Sequence, residues 1–515
     1  MSYTLAIKNG LIIDGSGNKP YISNIYTDGD RIAAITAEDL EAERIVDAHD
    51  LAAAPGFIDI HTHSDSGPWD YPGFEGRLHQ GVTTDIAGNC GGSMLPRKPS
   101  DRYKVPVTCM KEAATDLGNR RFGANYNSFV GHGNLRSMAM ADKYAVDPTP
   151  EELEKMKELL DGELAAGAVG LSIGLEYMPG YYCRTEELVE LAKVVKKHGK
   201  LCSVHMRNEA GGVFEAVDEV AEIARRSGAH MHISHLKIMF SDNWGRADDL
   251  LAHIDGYRSQ GLNITADQYP FLATSTSFRI MMPAWSKTGT GAEITDRIRG
   301  DETWLRMKDD VLAGMNGRGG PSCVVVASTG GRYREIEGKS LEEIGRELQM
   351  EPIDAFRCVM LKCNSGISGI YHSINREDAL KIMARSDIAV ISDSSSRDFV
   401  TGAREGCPHP RSTSSAVKFL RTVRENSLMP IEKAVYKLTS LPASIIGLEH
   451  RGLIKEDYFA DIVIFDPETA ADRGTFGDPF RTSVGVREVF VNGVSSWKDG
   501  MPTGNMAGRF VPVGG

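Results

Sequence analysis

The rhythm of hydrophobic and polar positions changes twice along the chain. Over residues 1–55, short apolar runs alternate with turn signals. TLAIKNGLIIDG carries Asn-Gly between two such runs, and NIYTDGDRIAAI carries Asp-Gly in the same role. These dipeptides favour the turns that close β-hairpins. The texture returns near the other end in ADIVIFDP and VREVFVNG. The two β-rich pieces, 1–55 and 447–515, are expected to pair into one small β-sandwich domain.

Between them, apolar strands alternate with amphipathic helices, the pattern of an α/β fold with a parallel sheet. Eight segments read as strands: GFIDIHTH, GVTTDIAGNC, NYNSFVGHG, AVGLSIGLEY, LCSVHMR, HMHISHLK, NITADQYPF and IAVISDSS. Several are nearly continuous apolar runs, as expected when both faces of a strand are covered. TPEELEKMKELLDGELAAG and TEELVELAKVVKKHG are examples of the helices between them. Eight such units predict a closed (β/α)8 TIM barrel over 56–446. An open doubly wound sheet is the alternative, but no GxGxxG follows the first strand. More than the usual spacing separates the last two strands. Residues 279–345 therefore read as an insertion near the barrel mouth.

Length agrees with two units, since 515 residues exceed one ordinary domain. With 58 Lys and Arg against 70 Asp and Glu, the formal net charge is −12. Such a chain is a poor partner for nucleic acid. A small-molecule substrate, even an anionic one, remains compatible. The eight cysteines form no CxxC pair, which suggests a reducing compartment. The N-terminal residues lack the basic and apolar regions of a signal peptide, and no apolar run approaches the ~18 residues of a membrane span. A cytoplasmic protein that does not engage membranes is expected. The oligomeric state is not legible.

The strand ends carry the candidate chemistry. His61 and His63 close the first strand, and a two-residue spacing puts both imidazoles on one face. Cys90 closes the second strand, His205 the fifth, His235 the sixth and Asp393 the eighth. A barrel gathers these ends at one mouth, where metal and catalytic groups of this fold lie. Imidazole, thiolate and carboxylate together suit zinc. His232, three residues before His235, is expected to face the other side. His79, His198, His230, His253 and His450 have no such placement. His132 is a further candidate, for an oxyanion or a carboxylate.

These residues resemble the amidohydrolase superfamily, and within it the D-aminoacylases, or N-acyl-D-amino-acid deacylases. The resemblance runs over nearly the whole chain. It rests on PGFIDIHTHSD, GVTTDIAGNCGGS, FVGHGNLR, GLEYMPG, HMRNE, SHLK, YPF, SDS, PHPR, LTSLPASIIGL, RGLIKEDYFADIVIFDP and FVNG. It implies an amidohydrolase-type barrel that hydrolyses N-acyl-D-amino acids with zinc. A tight ion would be held by Cys90, His205 and His235, and a weaker one by His61 and His63. Asp393 would be the catalytic acid/base, and Lys237, Tyr269 and Ser275 would hold the substrate α-carboxylate. The sequence departs from the family pattern at Leu236, which follows His235, and at Ser394, which follows Asp393. It also departs at Met178 and in FRIMMPAW. These changes bear on the preferred side chain. Two other readings stay open. One is an amidohydrolase acting on a cyclic amide, a dipeptide or an aminated ring, with Glu209 as a deaminase's extra acid. The other is a ligand-binding barrel without turnover.

Overall fold

The computed structural model describes residues 2–99 and 105–513. Its centre is a closed parallel barrel. Phe57–Asp59, Val82–Ala87 and Asn125–Ser128 pair in parallel, in that order. A second run joins Val130–Gly131, Gly170–Gly174, Leu201–His205, His230–Ile233, Ile264–Gln268 and Ile388–Val390. The third barrel strand belongs to both runs, because it is interrupted only at Phe129, whose amide bonds Ala87 O at 2.9 Å. The ring closes between the first and eighth strands through a parallel bridge of Thr62 and Ser394. There the Asp393 amide donates to His61 O at 2.9 Å and the His63 amide to Ser394 O at 3.0 Å. Closure thus sets the first-strand histidines beside Asp393.

Helices cover the outside for reasons visible in the sequence. Pro150–Ala165 begins with a capping box, in which the Thr149 side chain accepts from the Glu152 amide and Glu152 returns to Thr149, with proline in the first turn. Thr185–Lys197 buries Leu188, Leu191, Ala192 and Val195 at helical spacing against the barrel. Among the described residues, no helix is long and apolar enough to cross a membrane.

The chain ends form a separate nine-stranded sheet. Tyr3–Ile12 is its pivot: it pairs antiparallel with Tyr21–Asp28 on one edge. On the other edge it pairs parallel with both Ala42–Asp47 and Ala52–Pro55. Ala52–Pro55 then pairs with Ile462–Phe465, which joins the two halves of the chain. Alternation decides what each face meets. Ile462 and Ile464 pack with Leu5, Ile7, Ile25 and Phe490, whereas Val463 and Phe465 pack with Phe57, Phe74 and Val82 of the barrel.

A buried polar junction reinforces that contact. Asp461 accepts from Arg451, from the Asn492 amide at 2.8 Å and from Asn125 Nδ2 at 3.0 Å. Arg451 also reaches Asn492 Oδ1 at 2.9 Å. Removing the carboxylate leaves a guanidinium buried without its counter-charge. Asp461→Ala is expected to cost about 3–5 kcal/mol, read as a lower urea midpoint. An unchanged midpoint would show that the sheets hold together without this junction.

The insertion is larger than expected. Thr274–Ser277, Ser368–Tyr371 and Val324–Ser328 form a three-stranded antiparallel sheet. Helices Gly291–Arg299, Asp301–Gly317, Leu341–Leu348 and Pro352–Lys362 lie between these strands. The unit therefore spans 274–371 rather than 279–345. It has a core of its own, with Phe278, Trp304, Met307, Phe356 and Tyr371. Its sheet was missed because its strands are short and far apart in sequence.

Candidate metal centre and active site

At the C-terminal mouth of the barrel, donor atoms of His61, Cys90, His235 and Asp393 all lie within 4.8 Å of one another. Cys90 Sγ is 3.4 Å from His61 Nε2 and 3.3 Å from His235 Nε2. His205 Nδ1 is 2.9 Å from His235 Nε2, and His205 forms a second such group with His235 and Glu209. His63 stands at the rim, a third exposed, with Nε2 3.0 Å from Asp393 Oδ1. The expected division, with Cys90, His205 and His235 apart from His61 and His63, is therefore more interleaved here. His61 lies against Cys90, and His235 belongs to both groups.

Backbone conformation aims these donors. Cys90, His235 and Asp393 have φ of 55°, 37° and 51°, a left-handed region that residues other than glycine seldom occupy. The strands end two or three residues earlier, at Ala87, Ile233 and Val390, and the left-handed residue then turns each donor inward. Two glycines admit the Cys90 turn. A Cβ on Gly91 would lie 2.5 Å from Gly174 N, and one on Gly174 would lie 2.1 Å from Cys90 O. Gly91 thus serves the approach of the fourth strand, whereas a Cβ on Gly92 would meet nothing.

A second layer of side chains orients the first. His61 Nδ1 faces Asp267 Oδ2 at 3.3 Å, which leaves Nε2 toward Cys90. His235 Nδ1 is 2.9 Å from Glu209 Oε1, which leaves Nε2 toward Cys90 and His205. His205 Nε2 is 3.1 Å from Glu176 Oε2, which leaves Nδ1 inward. Asp267 and Glu176 thus set the His61 and His205 tautomers, while His235 Nδ1 is shared between Glu209 and the Lys237 ammonium 2.8 Å away. Burial alone would raise Asp267, but His61 and His232 hold it well below the usual carboxylate range. Glu209 is likewise held down by Lys237, His235 and His205 against its burial.

His232 departs from expectation. It points inward, with Nε2 2.8 Å from Asp267 Oδ2, the oxygen that also faces His61. The strand ends at Ile233 and the left-handed turn at His235 breaks the alternation. His132 departs as well: it is buried, 2.6 Å from Glu187 Oε1, and does not line the cavity.

Asp393 is doubly held. Arg411 Nη1 donates to Oδ2 at 2.6 Å, while Oδ1 faces His63. Burial opposes its ionisation, but Arg411, His235, His63 and His61 keep the carboxyl well below its ordinary range. Cys90 shows the opposite balance: burial, with the nearby Asp393 and Glu209 charges, pushes its thiol well above the usual value. A cation among these donors would reverse that balance. Soft sulfur, imidazole nitrogens and a carboxylate oxygen form a donor set that fits zinc.

The centre opens into a cavity of about 830 Å³. Lys237, Tyr269 and Ser275 all line it. Lys237 Nζ sits 2.7 Å from Glu209 Oε1 and 2.8 Å from His235 Nδ1. The Tyr269 hydroxyl is buried without a hydrogen-bond partner among the described residues, and burial pushes its pKa up to about 12. It is a neutral donor facing the cavity. Arg411 lies 4.9 Å over the Tyr269 ring and donates to Ser275 O at 3.1 Å. Asp267, Glu176 and Arg411 were not anticipated from the sequence. PHPR marked the place of Arg411 and GLEYMPG that of Glu176, each without its role, and nothing local marks Asp267.

The amidohydrolase family model matches residues 390–496. An N-acyl-D-glutamate deacylase of Alcaligenes xylosoxydans xylosoxydans is 34% identical over 511 residues, 97% of this chain and 94% of that protein. A D-aminoacylase of the same organism is 30% identical over 98% of this chain and 97% of its own length. Among solved structures, the N-acyl-D-glutamate deacylase from Bordetella bronchiseptica, complexed with zinc and a phosphonate inhibitor, superposes with a TM-score of 0.84. It is 31% identical and covers 99% of this chain and 100% of its own. Closed barrel, strand-end donors and full-length similarity agree: the chain belongs to the D-aminoacylase family of the amidohydrolases.

Proposed function

We propose that this protein hydrolyses the amide bond of N-acyl-D-amino acids, giving a carboxylate and a free D-amino acid. The observation that carries this reading is the placement of an unpartnered Tyr269 hydroxyl and Lys237 on a cavity wall beside the Cys90, His235 and Asp393 cluster. Recognition of a carboxylate thus adjoins the reacting centre. His61, His63, Cys90, His205 and His235 are the residues that would hold zinc. Bound zinc supplies a water that ionises near neutral pH and a Lewis acid for the amide carbonyl.

The chain's own residues do the rest. Asp393 accepts a proton from the attacking water at Oδ1 and passes it to the leaving nitrogen, which departs poorly unless protonated. Arg411 fixes Asp393 through Oδ2, so Oδ1 keeps its aim. Lys237, Tyr269 and Ser275 hold the substrate α-carboxylate with charge-assisted hydrogen bonds. The eight cysteines, all unpaired, support a cytoplasmic setting, and the net charge of −12 argues against nucleic acid as a partner.

Hydrolysis of a panel of N-acetyl-D-amino acids and their L enantiomers, with zinc present, tests the reading. Turnover of the D series is expected. Hydrolysis of cyclic amides alone, or no turnover of any amide by zinc-loaded protein, would overturn it.

Lys237→Met should weaken binding of free carboxylates by roughly 2–5 kcal/mol, read as a higher KM. Substrates whose α-carboxylate is an amide should lose much less. Equal losses would mean that Lys237 serves Glu209 and His235 rather than the substrate.

A further inference from the structure

Behind the His63 and Asp393 pair lies a second, smaller cavity of about 150 Å³. Its walls come from three places: Ser394, Ser395 and Arg397 after the eighth strand, His409 and Arg411 at the next helix, and Ser328 and Ser368 of the insertion sheet. It shares His63, Ser275 and Asp393 with the large cavity, so the two adjoin across the reacting carboxylate.

Its charges do not balance. Among the described residues Asp393 is the one carboxylate on its walls, and Arg411 and His63 already hold it. His409 adds no charge, since burial and the nearby Arg411 keep its pKa well below the usual value. Arg397 remains. Its Nε is buried without a partner, and no hydrogen bond or ion pair engages its guanidinium among the described residues. Its neighbour Asp398 is turned away, onto the amides of Gly73 and Glu75. Arg397 as a whole is half-buried, so its buried Nε offers an anion a donor that nothing among the described residues uses.

We propose that this cavity is a second carboxylate subsite, read by Arg397 and separated by Ser275, which lines both, from the Lys237 and Tyr269 side of the α-carboxylate site. A water occupies about 30 Å³ in the liquid. The space therefore takes a carboxylate with a short carbon chain, not a whole N-acyl amino acid. Resting on the proposed reaction, that carboxylate has two sources: the released acyl product, or the side chain of an acidic D-amino acid.

The experiment compares the zinc-loaded parent with Arg397→Gln, Arg397→Lys and Lys237→Met. Acetate binding is followed by saturation-transfer NMR, which needs no turnover. Kinetics use N-acetyl-D-glutamate, N-acetyl-D-aspartate and N-acetyl-D-leucine, each with acetate as inhibitor. Arg397→Gln should produce a loss of about ten-fold or more, with Arg397→Lys recovering part of it. The product source predicts the loss in acetate binding and inhibition. The side-chain source predicts it in the ratio of acidic to neutral substrate efficiency. Loss of acetate binding in Lys237→Met with retention in Arg397→Gln, and an unchanged substrate ratio, would overturn the subsite. So would an equal loss on all three substrates. If no N-acyl-D-amino acid is hydrolysed but Arg397→Gln still loses acetate, the reaction reading fails and the subsite stands.

Discussion

Asp393→Asn is expected to retain fold and metal while kcat falls by about 10²–10⁴-fold. The amide keeps the shape of the carboxylate and can still accept from Arg411, now at a neutral oxygen. It cannot take a proton from water and return it to a departing amine. The whole effect should appear in kcat, with KM nearly unchanged, because the interaction lost is made in the transition state. Zinc content by elemental analysis and a thermal melt provide the controls. A kcat within a few-fold of the parent, with metal retained, would reduce Asp393 to a structural partner of Arg411 and His63.

Cys90→Ala should remove tight zinc altogether. Cys90 Sγ is the one sulfur in the cluster and touches both His61 and His235. Changes in outer partners of metal ligands typically cost 10–100-fold in affinity. Loss of an anionic ligand should exceed that, and activity should fall with the metal. Excess zinc should restore only part of it. Cys90→Asp is the informative companion: aspartate tolerates the left-handed backbone found at residue 90 and returns an anionic donor, so it should recover some metal. Full zinc and full activity in Cys90→Ala would leave His205, His235 and Glu209 as the binding site.

The fold was legible because its cues are local. Alternating strands and helices announced a barrel, and Asp28-Gly29 and Asn492-Gly493 marked a hairpin in each half of the terminal sheet; Asn9-Gly10 instead lies inside Tyr3–Ile12, where the pairing shifts register. Donors at strand ends were legible for the same reason. What stayed hidden depends on closure. Asp267, next to last in its strand, looks like any polar residue, yet closure of the barrel brings it to His232 of the sixth strand and His61 of the first. Glu176 meets His205 only because the fourth and fifth strands pair in register. His232 was misplaced because alternation fails where the chain enters a left-handed turn. Arg411 is separated from Asp393 by a loop whose path spacing does not reveal.

The insertion's private core has a consequence for how such an enzyme diversifies. Thr276, Ile280 and Arg318 of that unit line the large cavity, yet the side chains that stabilise it pack among themselves rather than within the barrel. Mutations that reshape this wall are therefore buffered by one folding reserve, while the strand-end donors draw on another. Substrate preference can drift at Thr276 and Ile280 on that reserve, whereas Ser275 and Arg318, which meet Arg411 and Glu176, tie the unit to the catalytic end of the barrel.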